Sequence, residues 1–298
     1  MLEPATLAWL ERHLAPGEAV ADARPLRGGW TSRICAVRTT DDRDLVLRSF
    51  LTPFFRRHAP GLLTREAEVL ALLRDTDVPA AEPLAVDPTG EHCAVPSLLM
   101  TRLPGAVRLT EDTGAALATL LVRVHTIAPA DRPRRYQPWT APDRVAVPSD
   151  TDRPTLWVNA VDAIRREPPP FTGRFLHRDF HPGNVLFAGG DITGVVDWVE
   201  TSWGPADLDV AHCATALALL HGPDAGLRLA DHYTAAGGEL SADPRDHLYW
   251  RLLDTLAFAP DAEKVAGPWR DLGRTDLTPA LLRTRLEDYL AALVERYS

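Results

Sequence analysis

The fold is decided by one stretch of the chain, FLHRDFHPGNVLF at residues 175–187, which is followed by ITGVVDW at residues 192–198. Apolar segments alternate here with polar residues, a pattern typical of short strands joined by loops. The first strand delivers Asp179 into a loop, the second begins after Asn184, and the third ends at Asp197. We therefore expect two carboxylates and one amide to converge on one edge of a small sheet.

These three groups have the chemistry of a magnesium-dependent phosphoryl transfer. One aspartate can accept the proton of a hydroxyl group, while the asparagine and the second aspartate supply the oxygen ligands that magnesium prefers. Taken alone, the pair His177 and Asp179 could simply end a strand. A metal-hydrolase site would need further histidine or carboxylate ligands, and the stretch offers only His181, which we interpret as a loop residue. The complete array favours phosphoryl transfer.

The stretch also resembles a known family. The pattern His177-Arg-Asp179-x-x-x-x-Asn184 is similar to the catalytic loop of the protein-kinase-like fold, and His-Pro-Gly-Asn with the later Val-Val-Asp-Trp resembles the aminoglycoside phosphotransferase family in particular. The resemblance implies that Asp179 is the catalytic base and that Asn184 and Asp197 bind Mg²⁺. It further implies that Asp209 braces the catalytic loop. No D-F-G or A-P-E segment of a protein kinase is present.

The first hundred residues are predicted to form a small lobe with an antiparallel sheet and one helix. Residues 34–37 and 45–47 flank a polar turn and read as a hairpin. A helix is predicted over residues 62–74, followed by strands near residues 82–86 and 95–102. This lobe is the part of the chain that would hold the nucleotide.

A buried ion pair is predicted inside this lobe. Glu66 lies in the middle of the apolar face of the predicted helix, and a buried glutamate needs a partner. The only lysine of the chain is Lys264, so Arg48, at the end of the second hairpin strand, takes the place of the lysine usual in kinase-like sites. Arg48, oriented by Glu66, is expected to neutralise the phosphates.

The remaining nucleotide contacts follow from the resemblance. The sequence GGWTS at residues 28–32 is similar to the family's phosphate-covering loop, with Gly29, Thr31 and Ser32 as its predicted ligands. The linker after the last strand of the lobe is expected to surround the adenine, through the Met100 side chain and the backbone of residues Thr101 to Leu103.

The rest of the chain is predicted to form a larger, mainly helical lobe. Residues 128–153 are rich in proline and polar residues and read as a long loop. Helices are expected over residues 110–127, 154–166, 205–221, 224–236, 243–258 and 279–296. The predicted fold class is therefore α+β, a bilobal protein-kinase-like fold with a nucleotide-binding lobe at residues 1–103 and a catalytic, substrate-binding lobe at residues 104–298.

Composition narrows the possible partners and location. A formal net charge of −9 argues against a nucleic-acid partner, because that affinity depends on clustered positive charge. The longest apolar stretches are far shorter than the roughly 20 residues of a membrane span, and the N-terminus lacks a signal-peptide apolar region. We expect no membrane partner and a cytoplasmic location. The three cysteines stand far apart and are expected to be buried free thiols.

The sequence says least about the molecule that accepts the phosphate group. An acidic wall would suit an amine-rich acceptor, with candidates Glu200, Asp207, Asp254, Asp261 and Glu263, and ring stacking has the candidates Trp203, Trp250 and Trp269. The apolar residues between 247 and 258 would equally suit a bulky, partly hydrophobic antibiotic. The predicted function is an ATP- or GTP-dependent O-phosphotransferase acting on a small hydroxyl-bearing molecule, such as an aminoglycoside- or macrolide-like antibiotic. A kinase of choline, homoserine or a sugar, and a nucleotide-binding pseudokinase, remain alternatives.

Overall fold

The chain divides into two compact units, each with its own core. The computed structural model describes residues 2–27 and 31–298, so Gly29 of the predicted phosphate loop lies outside the described residues. The N-terminal unit comprises Met1–Ala106 and Leu186–Glu200, and the C-terminal unit comprises Val107–Val185 and Thr201–Ser298.

The N-terminal unit is built on a five-stranded antiparallel sheet in the order β1-β2-β3-β5-β4. In its central strand β3, Leu45 and the consecutive residues 47–49 are buried, and Leu47 stands opposite Cys35 on one side and Leu99 on the other. The bounds are β1 Val20–Pro25, β2 Arg33–Thr39, β3 Asp44–Ser49, β4 Pro83–Asp87 and β5 Ser97–Thr101.

Two helices accompany this sheet. Helix α1 (Pro4–Glu11) buries Trp9 and Leu10 in the core beside the sheet. Helix α2 (Pro53–Leu73) begins nine residues before the predicted helix, because Pro60 and Gly61 look like helix breakers yet lie inside it. The buried face of α2 agrees with the predicted apolar stripe and includes Leu63, Glu66, Val69, Leu70 and Leu73.

A later hairpin belongs to the same unit. Strands β8 (Val185–Ala188) and β9 (Asp191–Val195) are followed by a single 3-10 turn, Trp198–Glu200. The short strand β6 (Ala106–Val107) follows the linker, and the Thr193 hydroxyl donates a 2.6 Å hydrogen bond to the Pro104 carbonyl, which fixes the linker to β9.

The C-terminal unit is mainly helical. Helix α5 is its centre: residues 206–220 are all buried, including the polar residues Asp207, Asp209 and His212. Strand β7 (Arg174–Leu176) pairs antiparallel with β10 (Ser202–Gly204) and ends beside this helix. The helices are α3 Gly114–His125, α4 Pro154–Ala163, α5 Ala206–His221, α6 Pro223–Ala235, α7 Pro244–Thr255, α8 Glu263–Asp271 and α9 Pro279–Tyr297.

Helix α8 was not predicted. Its sequence EKVAGPWRD contains Gly267 and Pro268, which argue against a helix locally, but Ala266 and Trp269 are buried and hold it against the core. Residues 128–153 contain one 3-10 turn, Pro142–Arg144, and one isolated bridge from Arg135 to Trp203, but no α-helix or strand, as predicted for a loop. All three cysteines are buried and free, which confirms their prediction. Among the described residues, no helix has the length and apolarity needed to cross a membrane.

Candidate active site

Arg48 and Glu66 form a buried ion pair in the N-terminal unit. The Arg48 Nη1 donates to Glu66 Oε1 at 2.8 Å, and both residues are almost completely buried. Strand β3 presents Arg48 at its end, while α2 presents Glu66 from the middle of its buried face. The structure thus brings together the two residues that the sequence pattern pairs.

The same guanidinium holds two further groups. Arg48 Nη1 also donates to Asp197 Oδ1 at 2.9 Å, and Arg48 Nε donates to the Ser32 hydroxyl at 3.1 Å. Burial alone would lower the pKa of Arg48, but the Asp197 and Glu66 carboxylates outweigh it and raise that pKa well above its usual value. Arg48 therefore stays charged, with Nη2 as its remaining donor. Thr31, the other described residue of the predicted phosphate loop, is half-buried.

Asp197 sits on a strained turn. Its φ of 67° lies in the left-handed region, which aspartate tolerates better than most residues. The following 3-10 turn is anchored on both sides, because the buried Trp198 donates its Nε1–H to Val195 O at 3.0 Å and Arg65 donates to Val199 O at 2.6 Å. Strain of this kind is concentrated at functional sites and persists only where surrounding contacts enforce it.

Part of the segment predicted to bind adenine already forms hydrogen bonds within the sheet. Met100 and Thr101 are half-buried in β5, and the N–H groups of Thr101 and Arg102 donate to the carbonyls of Glu82 and Asp44 at 2.9 and 3.1 Å. Two of the predicted backbone donors are therefore already used. Leu103 follows them and packs against Gly194, where an added Cβ would come within 2.7 Å of the leucine side chain.

In the C-terminal unit, Asp209 braces the loop that carries Asp179. Its two carboxylate oxygens accept from the backbone N–H groups of His177 and Arg178, each at 2.8 Å. Arg178 has a φ of 74°, so the loop turns through a left-handed residue that this carboxylate secures. Burial opposes the charge on Asp209, but the hydrogen bond from His125 and nearby positive charges keep its pKa below the ordinary value.

Asn184 and Asp179 are joined directly. The Asn184 Nδ2 donates to the Asp179 carbonyl at 2.9 Å and to Asp179 Oδ2 at 3.2 Å, while the 3-10 turn Pro182–Asn184 closes on His181. A side chain at Gly183 would approach His181 Cε1 to 2.7 Å, so the turn requires glycine for its close approach. The HPGN segment therefore fixes the asparagine amide against the aspartate.

Histidines surround the Asp179 carboxylate. Its Oδ1 lies 3.2 Å from His212 Nε2 and 3.9 Å from His181 Nε2. Burial raises the pKa of Asp179, but the His212 hydrogen bond and the nearby histidine charges outweigh it, so that pKa lies well below the usual value. Sequence reasoning missed His212. The sequence feature that could have revealed His212 is its position three residues after Asp209, because that spacing places both side chains on one face of α5.

Several acceptor-side candidates belong to the core or to ion pairs. Asp207 and Asp254 are buried against His247 and His212, which removes them from any acidic wall, and Glu263 pairs with Arg270. Trp250 and the other apolar residues between 247 and 258 are all buried in the helical core. Trp269 lies beside the loop that carries Asp179, with its ring centroid 6.2 Å from that of His181.

Comparison with known proteins identifies the relationship. The model of the phosphotransferase enzyme family (APH) matches residues 22–253, more than three quarters of the chain. The chain belongs to this family. The match confirms the prediction of an enzyme, a kinase acting on a small-molecule hydroxyl.

Solved structures of phosphotransferases share the fold of this chain. The macrolide 2′-phosphotransferase MphH from Brachybacterium faecium is 16% identical, with 95% of this chain and 98% of that one covered and a TM-score of 0.58. The aminoglycoside phosphotransferase APH(4)-Ia is 18% identical, with coverages of 92% and 94% and a TM-score of 0.61. The amicoumacin kinase hAmiN, in complex with AMP-PNP, Ca²⁺ and Ami, is 12% identical, with coverages of 92% and 88% and a TM-score of 0.60.

These likenesses confirm the predicted kinase-like α+β fold. No protein with a curated description matches the chain. Among the described residues, no group of three or more histidine, cysteine, aspartate or glutamate side chains is arranged to hold a metal ion. Magnesium in nucleotide enzymes is commonly held by only one or two carboxylates together with substrate phosphates.

Two side chains of this phosphotransferase have the donor atoms for such an ion. The Asp197 side chain is 29% exposed. Arg48 donates to its Oδ1, so Oδ2 is the oxygen that could bind a metal ion. Asn184 directs its NH₂ group to Asp179, which leaves the amide oxygen as a ligand. Both donors are hard oxygens, so the residues present fit a magnesium ion.

Proposed function

We propose that this phosphotransferase moves the γ-phosphate of ATP or GTP to a hydroxyl group of a small molecule, with Asp179 as the base. The observation that carries the proposal is the Asp179 carboxylate, ionised and oriented by Asn184 and His212 in a loop that Asp209 braces. The acceptor oxygen bonds to the γ-phosphorus as the bond to the nucleoside diphosphate breaks, and Asp179 takes the hydroxyl proton. A loose transition state needs orientation more than strong basicity, which suits a carboxylate of low pKa.

The N-terminal unit supplies the nucleotide contacts in this proposal. Arg48 stays charged and keeps Nη2 for a phosphate oxygen, while Glu66 and Ser32 hold its orientation. Gly29 and Thr31 complete the phosphate loop, and Met100, Thr101 and Leu103 line the adenine. We assign nucleotide binding to residues 1–103 and catalysis with acceptor binding to residues 104–298.

Magnesium is the proposed metal, with Asn184 and Asp197 as its protein ligands. The ion would neutralise charge on the donor phosphates when bound. Arg48 fixes Asp197 Oδ1, and Asp179 fixes the Asn184 NH₂ group, so each ligand is held with one oxygen available. Because ATP and GTP are cytoplasmic metabolites, we place the reaction in the cytoplasm.

The surroundings of Asp179 favour an acceptor with an apolar or ring-bearing face. Trp139 is 38% exposed, and its ring centroid lies 4.6 Å from that of His212. Phe258 and Trp269 lie beside His212 and His181 but are each only 3% exposed, so Trp139 offers the exposed aromatic face. The only lysine, Lys264, lies over the Phe258 ring at 5.7 Å. An exposed aromatic ring close to cationic side chains suits a neutral polyol or macrolide-like antibiotic better than a polycationic aminoglycoside.

The test is phosphate transfer from ATP and, separately, GTP with magnesium to macrolides, aminoglycosides, tuberactinomycins and metabolite alcohols. A mass gain of one phosphate identifies the acceptor. The Asp179→Asn variant should bind nucleotide normally and lose at least about 10²-fold in turnover, the range for a positioned base. Full turnover in that variant would remove Asp179 from the mechanism. Phosphorylation of choline, homoserine or a sugar would reassign the substrate, and nucleotide binding without any transfer would favour a pseudokinase.

A further inference from the structure

His212 joins Asp179 to a second, deeply buried carboxylate. Its Nε2 lies 3.2 Å from Asp179 Oδ1, and its Nδ1 lies 3.1 Å from Asp254 Oδ1. Helix α5 provides His212, and α7 provides Asp254, which is 3% exposed. The far oxygen of Asp254 accepts from the Thr215 hydroxyl at 3.2 Å. The result is a continuous chain of contacts from the helical core to the Asp179 carboxylate.

The two contacts favour the imidazolium form of the ring. A ring that donates a hydrogen bond to a carboxylate on each side needs a proton on both nitrogens, and only the imidazolium has both. Burial by itself lowers the pKa of His212, but Asp254 and Asp179 outweigh it and raise that pKa to about 9. The other charged or titratable groups near the ring are His181 on the Asp179 loop, Lys264 over Phe258, and Arg178 behind Trp139.

The ring is also confined by its neighbours. The Trp139 ring meets it edge-on with a centroid distance of 4.6 Å, and the Phe258 ring lies on another side at 5.5 Å. His212 itself is 4% exposed. A ring with both nitrogens engaged and two aromatic walls has one orientation available, so its Nε2–H points at a fixed place.

We propose that His212 is a positioning residue for phosphoryl transfer: anchored on Asp254 as a buried imidazolium, it holds Asp179 Oδ1 and keeps the carboxylate aimed at the acceptor hydroxyl. This inference rests on the proposed function, because it assigns His212 to the base that function requires. His212 touches Asp179 and acts through it. Asn184 restrains the other oxygen, so the two partners together fix both ends of the carboxylate.

The fold offers a matched control on the same pair of helices. His247 on α7 lies 3.4 Å from Asp207 on α5 and is 5% exposed, so it is a buried histidine–aspartate pair of the same kind. It does not contact Asp179. A merely structural role for His212 predicts similar consequences for His212→Asn and His247→Asn, while a positioning role predicts a difference in turnover.

The kinetic experiment compares His212→Asn, His212→Gln and His247→Asn in the full-length enzyme, with the acceptor found in the transfer panel and with water as acceptor through phosphate release from Mg-ATP. We expect His212→Asn to lower kcat by about 10- to 100-fold, the scale of a misplacement near 1 Å, with the KM for nucleotide unchanged. His212→Gln should recover part of kcat, because its amide can donate to Asp179. His247→Asn should retain wild-type kcat. The alkaline limb of the wild-type pH profile should be absent from His212→Asn.

A spectroscopic readout keeps the test independent of activity and of folding of the variants. Nitrogen-detected NMR of histidine-labelled wild-type protein at pH 7.5 should show one histidine protonated on both ring nitrogens, and Asp179→Asn should lower the pKa of that residue. A neutral His212, or a kcat loss shared equally by His247→Asn, overturns the positioning role while the proposed function stands. Undiminished turnover in Asp179→Asn overturns the proposed function instead.

Discussion

The buried imidazolium of His212 should make the stability of the protein depend on pH. Burial lowers the pKa of His212, but Asp254 and Asp179 outweigh it, and the value in the folded chain is about 9, against an ordinary value of 6.5. Between these two values the folded chain binds one proton more than the unfolded chain does. The contribution of His212 to the free energy of unfolding is therefore fully present below pH 6.5 and is lost as pH rises through about 9.

The size of the effect follows from the difference between the two pKa values. Each pKa unit corresponds to about 1.4 kcal/mol, so a difference of about 2.5 units gives about 3 kcal/mol. Solvent screening takes little from this figure, because His212 is 4% exposed and its partner Asp254 is 3% exposed. The expected slope approaches 1.4 kcal/mol per pH unit in the middle of the window.

The assay is urea unfolding followed by tryptophan fluorescence at several pH values between 6 and 9.5, for wild type and His212→Asn. The difference in unfolding free energy between the two proteins should shrink by about 3 kcal/mol across this range. Cysteines and other titrating groups are common to the two proteins, so their contributions cancel in this difference. Burial lowers the pKa of His247, so His247→Asn should give a difference of opposite slope on the acid side. If the difference for His212→Asn does not depend on pH, His212 is not an imidazolium in the folded protein.

Two further perturbations test the ion pair and the acceptor side. Glu66→Ala leaves the buried Arg48 charge without its partner on α2 and should cost about 3 to 5 kcal/mol in stability and weaken nucleotide binding, measured by thermal unfolding and nucleotide titration. Glu68→Ala, on the exposed face of the same helix, is its control, and equal effects of the two changes would contradict the pair. Trp139→Ala should raise the KM for the acceptor several-fold and leave the KM for nucleotide unchanged, in steady-state kinetics. A rise in the nucleotide KM alone would place Trp139 outside acceptor binding.

The pairing of Arg48 with Glu66 was predicted from periodicity together with the resemblance to kinase-like sites. Periodicity places Glu66 in the middle of an apolar helix face, where it needs a cation. The resemblance places that cation at the end of the second hairpin strand, where Arg48 stands because the only lysine is at position 264. The bounds of the same helix were harder to predict, because Pro60 and Gly61 carry strong local signals against helix. Tertiary packing overrides such signals, and α8 shows the same effect at Gly267 and Pro268.

His212 could not be inferred from the pattern that revealed Asp179. The residues that hold its ring lie far apart in sequence: the Asp179 loop, Asp254 on α7, and Trp139 in the long proline-rich segment. Helix α5 is buried on every side, so periodicity alone does not distinguish the face that carries Asp209 and His212. It is the packing of α5 against α7 that places this histidine between two carboxylates.

The two units hold an aspartate with the same arrangement of side chains. Each contains an aspartate of the proposed mechanism that is partly removed from water and held by a buried cation. In the N-terminal unit a buried arginine holds Asp197 by Oδ1, and in the C-terminal unit a buried histidine holds Asp179 by Oδ1. Each cation is itself anchored by a second buried carboxylate, Glu66 or Asp254, which offsets the cost of burying it. This pairing leaves the other oxygen of Asp197 available, as the proposed metal site requires, and fixes the orientation of the Asp179 carboxylate, as its proposed role as the base requires.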